Sequence, residues 1–144
     1  MTSCDTNILF PACDSTSLQH EAALVFLNEY AEDDDFCLCE QVLIELYCLL
    51  RNPTVCKNPL SAIEAVDVIQ GFRSNPAWPI VDVVLDSEIM KRVWKHASEE
   101  SFAYRRIFDA RLAATLQHHG VTQFATRNEK DFAAFGFERL WNPL

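Results

Sequence analysis

The sequence predicts an α/β domain in which a central, mainly parallel sheet is covered by helices on both faces, and three observations predict it. Short runs rich in β-branched, aromatic and cysteine residues recur at positions 36–39, 80–85 and 121–125, separated by stretches with apolar residues at helical spacing. Strand-like and helix-like segments alternate, an order that calls for crossover connections and hence for parallel pairing. The length of 144 residues, 49% of them hydrophobic, matches one compact unit, expected to occupy residues 1–144 as a single domain.

From the N-terminus, residues 2–7 read as a brief strand ending in Asp5-Thr6-Asn7. Residues 20–30 place Ala23, Leu24, Leu27 and Tyr30 at helical spacing, and Glu32-Asp33-Asp34-Asp35 reads as a solvated turn before the strand at 36–39. Residues 41–50 form a strongly apolar helix with a single acid, Glu45, stopped by Asn52-Pro53, and a connector runs on to Pro59. A helix over 61–73 ends near Asn75-Pro76, residues 80–85 have the branched side chains of a strand, and Asp86-Ser87-Glu88 opens a helix to about Ala97. Residues 104–118 form a helix closed at Gly120, with Ile107, Phe108, Leu112, Ala113 and Leu116 on its packing face. Residues 121–125 are a strand, 129–135 a short helix closed by Gly136, and 137–141 a last strand. An open parallel sheet of this kind binds ligands beyond the carboxyl ends of its strands.

Charge is segregated along the chain. The net charge of −9 divides into about −10 for residues 1–50, which contain no Lys or Arg, and about +1 for the remainder. An acidic protein lacks the Lys and Arg that drive nonspecific nucleic-acid binding. However, Lys91, Arg92, Lys95, Arg105, Arg106 and Arg111 gather positive charge within a short segment, and bound cations would offset carboxylates locally. No run approaches the roughly 20 apolar residues of a bilayer span, and Met1-Thr-Ser-Cys-Asp5 lacks a basic region followed by an apolar one, so a cytoplasmic protein with no membrane partner is expected. The six cysteines are then expected reduced and buried in strands. Cys37-Leu38-Cys39 has the wrong spacing for a zinc knuckle.

Three acids stand out. Asp5 falls at the end of the first strand, where side chains face a crevice, although a turn or cap role fits the same position. Glu45 interrupts an apolar helix and has no basic partner one turn away, so a cation is expected beside it unless a distant Arg or water serves instead. Asp109 shares a helix face with Leu112 and Ala113, while an interaction with the helix N-terminus is the competing account. Thr126-Arg127-Asn128-Glu129-Lys130-Asp131 follows a strand and opens a helix, where Asn128 also suits an N-cap. Several acids at strand ends or on inward helix faces point to a hard cation, since magnesium takes oxygen ligands and keeps several waters.

Together, Asp5-Thr6-Asn7, Glu45 in its apolar helix, Phe108-Asp109-Ala110-Arg111-Leu112-Ala113-Ala114, and Thr126-Arg127-Asn128 with Asp131-Phe132 resemble the PIN-domain family, most strongly the VapC-type toxins of bacterial toxin-antitoxin pairs. The resemblance spans nearly the whole chain. It implies a three-layer α/β/α sandwich, divalent-metal ribonuclease activity with Mg2+ or Mn2+, an RNA substrate, frequent homodimers, and inhibition by a cognate antitoxin protein. Carried over by position, Asp5, Glu45 and Asp109 hold the metal. Either Asp131 or Asn128 completes the shell, with Asp131 preferred as the charged member. Thr6 and Asn7 flank the site, and Arg105, Arg106, Arg111 and Arg127 are the candidates to position phosphates.

Other chemistries find less support. No Gly-x-Ser-x-Gly elbow or glycine-rich phosphate loop is present, and His118-His119 lacks metal-ligand spacing. Trp78, Trp94 and Trp141 are expected to pack rather than to stack on bases. The rival from another class is a catalytically silent module that binds protein or RNA, its acidic first third docking a basic segment. A third reading keeps the nuclease and changes only the nucleic acid cut.

Overall fold

The structure is a computed structural model that describes residues 1–85 and 87–144. Five parallel strands form one sheet in the order β3-β2-β1-β4-β5: β1 (Thr2–Cys4), β2 (Phe36–Cys39), β3 (Ile80–Val81), β4 (Gln123–Ala125) and β5 (Arg139–Trp141). The helices are α1 (Thr6–Cys13), α2 (His20–Glu29), α3 (Glu40–Leu50), α4 (Ala62–Arg73), α5 (Ser87–Ala97), α6 (Ile107–His118) and α7 (Glu129–Phe132). The expected α/β/α architecture is therefore present, with a sheet that is wholly parallel.

Strand order decides where a ligand can enter. From β1 the chain builds outward first through β2 and β3, then on the other side through β4 and β5. The connections leaving β1 and β4 thus diverge, and a crevice opens beyond the carboxyl ends of these two neighbours. Cys4 pairs with Ala125, so Asp5 and Thr126 emerge side by side at that crevice.

Helices cover the sheet on both faces, so its central strands are buried throughout. This explains why β2 reads as an unbroken apolar run, Phe-Cys-Leu-Cys. The small side chains of β1, with Ser3 and Cys4 fully buried, occupy the middle of the sheet. Phe36 anchors one end of the core, its ring centroid 4.9 Å from Tyr30 and 5.0 Å from Trp78.

Several boundaries differ from expectation for identifiable reasons. The first strand stops at Cys4 rather than residue 7, and α1, which the sequence did not announce, begins at Thr6. Pro11 lies inside α1 and removes a helix donor, while buried Ile8 and Leu9 hold the helix to the core by packing. The strand expected over 80–85 is two residues long, because its partner β2 ends at Cys39, opposite Val81, where α3 takes over. Val84 and Leu85 are consequently exposed. The helix expected over 104–118 starts as a 3-10 turn, Tyr104–Arg106, before α6, and that over 129–135 continues past α7 as a 3-10 turn, Ala133–Phe135. Gly136 closes it at φ 82°, a backbone conformation that favours glycine. Asp86, expected to open α5, lies outside the described residues.

Cys4, Cys37, Cys39 and Cys56 are buried, Cys13 is half-buried, and Cys48 is exposed, contrary to the expectation of uniformly buried strand cysteines; all six are free thiols. Burial pushes Cys13 and Cys39 up to about 11 and Cys37 up to about 12, so these three stay protonated and unreactive at neutral pH. Trp78 packs in the core as expected, whereas Trp94 is 60% exposed. Among the described residues, no helix is long and apolar enough to cross a membrane.

Candidate active site

Beyond the ends of β1 and β4 lies a cleft of about 400 Å³ lined by Asp5, Thr6, Asn7, Glu45, Asp109 and Asn128, with Ile44, Cys48, Leu49 and Phe132 as its apolar wall. Asp5 comes from the end of β1, Glu45 from the second turn of α3, Asp109 from the first turn of α6, and Asn128 from the residue before α7. Four separate segments therefore supply the polar groups of one concavity.

Asp5 is buried, and its Oδ2 accepts hydrogen bonds from Thr126 Oγ1 at 2.7 Å and Asn7 Nδ2 at 2.8 Å. Asn7 Oδ1 accepts from the Arg127 backbone N–H at 3.0 Å, and Thr126 Oγ1 accepts from the Asn128 N–H at 3.0 Å. These bonds tie the start of α1 to the segment that leads into α7. Burial raises the Asp5 pKa; the Thr126 hydrogen bond opposes this, and the Glu45 charge reinforces it.

Glu45 is half-buried rather than sealed in the core, and its oxygens have neutral partners: Thr6 Oγ1 donates to Oε2 and Gln41 Nε2 to Oε1, each at 3.1 Å. Among the described residues no Arg forms an ion pair with it, which argues against the distant-arginine account. Asp109 is pushed up to about 6, first by burial and then by the charges of Asp131 and Asp5, with Arg106 acting in the opposite direction. Like-charged groups that resist joint ionisation mark a site with surplus negative charge.

The family model for the PIN domain matches residues 3–138. The chain belongs to the PIN-domain family. Along its full length this PIN domain is 49% identical to ribonuclease VapC24 of Mycobacterium tuberculosis, covering 97% of that relative. Among solved structures it resembles VapC20 of Mycobacterium tuberculosis, described as a sarcin-ricin loop cleaving toxin, with a TM-score of 0.68 at 15% identity over 93% of this chain and 95% of that one. It also resembles VapBC2 of Rickettsia felis bound to promoter DNA, with a TM-score of 0.66 at 16% identity over 98% and 97% of the two chains. At such identities the structural likenesses establish the fold alone.

Within this PIN domain the carboxylates share a cleft, but they do not form a closed cage. Among the described residues, no three acidic, thiol or imidazole side chains are grouped tightly enough to be a ready-made metal-ligand cluster. The donor set is nevertheless all oxygen and carries excess negative charge, which fits a hard divalent cation held through one or two carboxylates and retained waters.

The remaining sequence-derived candidates are distributed unevenly. Asp131 is exposed and absent from the cleft lining, yet close enough to raise the Asp109 pKa. Asn128 sits at the N-cap position of α7 without a side-chain capping bond and lines the cleft. Arg105 is exposed and lies over the Tyr104 ring, and Arg127 is exposed as well. Arg106 stacks against Phe102 and Phe135 and donates to the Asp131 carbonyl, and Arg111 is turned to Gln41 and Asp82.

Two polar residues that hold the acids of this PIN domain's site were given no such role by the sequence. Thr126 is fully buried against Asp5, and Gln41 is buried between α3 and α6. A signal existed for both: Gln41 is a polar residue one turn before the isolated acid of an apolar helix, and Thr126 opens the Thr126-Arg127-Asn128 segment that carries the family resemblance.

Proposed function

We propose that this PIN domain is a magnesium-dependent endoribonuclease, the toxin of a type II toxin-antitoxin pair, with Asp5, Glu45 and Asp109 as the metal-holding carboxylates and Mn2+ able to replace Mg2+. The observation that carries the proposal is that these three acids, from distant segments, line one cleft and, among the described residues, form no ion pair with a guanidinium. Full-length similarity to a protein named as a ribonuclease supports the reaction class.

When bound, the ion supplies Lewis-acid chemistry, lowering the pKa of a water and offsetting phosphate charge. The chain's own residues prepare the place. Thr126 and Asn7 orient Asp5, Thr6 and Gln41 orient Glu45, and the first turn of α6 presents Asp109 opposite them. Asn128 faces the cleft and is the better placed of the two candidates to complete the shell; Asp131 adds negative potential from outside. Exposed Arg127, and Arg105 from its place beside Tyr104, are the candidates to meet RNA phosphates, whereas Arg111 is occupied within the protein. Ile44, Leu49 and Phe132 supply an apolar wall beside the carboxylates. The partner is a cognate antitoxin protein that occupies this cleft.

Titration of Mg2+ against a defined RNA tests the proposal. The full chain should cleave only with the ion present, and Asp109→Asn should lose at least a hundredfold in rate while keeping its far-ultraviolet dichroism. RNA binding without metal-stimulated cleavage, or full activity in Asp109→Asn, would overturn it.

A further inference from the structure

Gln41 is buried and makes three hydrogen bonds with its single amide. Its Nε2 donates to Glu45 Oε1 at 3.1 Å and to the Phe108 carbonyl at 3.1 Å, and its Oε1 accepts from Arg111 Nη1 at 2.7 Å. The partners dictate which way the amide points. Rotated by a half turn, its oxygen would face two acceptors and its NH2 group would face a guanidinium, so all three bonds would be lost together.

The two acceptors belong to different elements. Glu45 lies one turn along α3 from Gln41, while Phe108 immediately precedes Asp109 at the start of α6. One amide thus holds a carboxylate oxygen of α3 and the backbone beside Asp109 on α6 in a fixed relation, and Arg111, one turn further along the same face of α6, braces it. The guanidinium makes no direct ion pair with Glu45, because it reaches that carboxylate only through the neutral amide. An arginine bonded directly to Glu45 would compete with a cation; the interposed glutamine keeps the carboxylate oriented and available.

We propose that Gln41, braced by Arg111, is a positioning residue that sets Glu45 against Asp109 for divalent-cation binding. The inference rests on the metal-site reading given above. Groups that orient metal ligands from behind typically contribute about 10- to 100-fold in affinity when removed. Gln41→Met keeps the length and volume of the side chain and removes the amide.

The test is Mn2+ binding to the full chain by isothermal titration, together with kcat and KM on one RNA and thermal unfolding in EDTA. Gln41→Met should weaken Mn2+ binding by about 10- to 100-fold and lower kcat, with KM for RNA little changed. In a Glu45→Gln background the same substitution should add much less, because it acts through a group already altered. Arg111→Met, at a part-exposed position, should weaken Mn2+ binding by a smaller factor, and it carries the test alone if Gln41→Met fails to fold. Arg111→Lys should recover part of that loss by restoring a donor to the Gln41 oxygen. Wild-type Mn2+ affinity in both Gln41→Met and Arg111→Met, with Asp109→Asn impaired, would overturn the role of Gln41 while leaving the metal site standing. Absence of Mn2+ binding in the wild-type chain would overturn both.

Discussion

The Thr126 hydroxyl donates to Asp5 Oδ2 at 2.7 Å, joining residues 121 positions apart at the carboxyl ends of two adjacent strands. It is a bond between a fully buried hydroxyl and a buried carboxylate, and it favours the ionised form of Asp5, partly opposing the larger upward push of burial on its pKa. Thr126→Val keeps the shape and removes the donor. The variant should lose about 1–3 kcal/mol of stability at pH 8, and its Asp5 pKa should rise further. Urea midpoints and a carboxyl-carbon NMR titration measure the two effects, and Thr126→Ser should preserve both. An unchanged midpoint in Thr126→Val would show that the bond contributes nothing.

Asp109 makes the cation-free fold pH-sensitive. Its pKa, raised to about 6 from an ordinary 3.8, means that the folded chain binds more protons than the unfolded chain between those values. Stability without a divalent ion should therefore fall as pH rises through that window, and remain reduced above it. Asp5, shifted in the same direction, adds to the trend. Asp109→Asn should flatten the profile and be more stable than the wild type at pH 8 in EDTA. Urea midpoints across pH 4–8 decide the matter, and a wild-type profile that rises over the window would contradict it.

Mg2+ should relieve this repulsion. An ion that binds only the folded chain contributes about 2.7 kcal/mol at a hundred times its Kd. The thermal midpoint should climb with Mg2+ at constant ionic strength, and most of the gain should vanish in Asp109→Asn. Equal midpoints in Mg2+ and in matched sodium chloride would argue against an ion in the cleft.

Phe36 tests the separation of core from site. It is fully buried at the amino end of β2, away from the cleft, with Tyr30 and Trp78 rings about it. Phe36→Ala should cost about 3–5 kcal/mol yet leave RNA cleavage per folded molecule unchanged at a permissive temperature. Calorimetry and initial rates provide the comparison. A stable variant with impaired catalysis would reverse the assignment of roles.

The alternation of strands and helices was legible because it rests on local periodicity, and β2 matches its expected bounds of 36–39. Asp5, Glu45 and Asp109 were legible for a related reason: each is an acid where packing alone would place an apolar residue or where a strand ends. α1 was hidden by Pro11, and the length of β3 depended on the end of a neighbouring strand, which no local window contains.

Residue order alone therefore specified most of the elements and their mainly parallel arrangement, and it singled out three acids that line one cleft, since these follow from spacing along the backbone. It was silent on Thr126 beneath Asp5 and on the Gln41 amide between Glu45 and Arg111, because those hydrogen bonds cross 121 and 70 positions. Such bonds exist only once the crossovers have brought β1 beside β4 and α3 against α6. Their strength comes from burial, a property that the assembled fold confers and that no segment has in isolation.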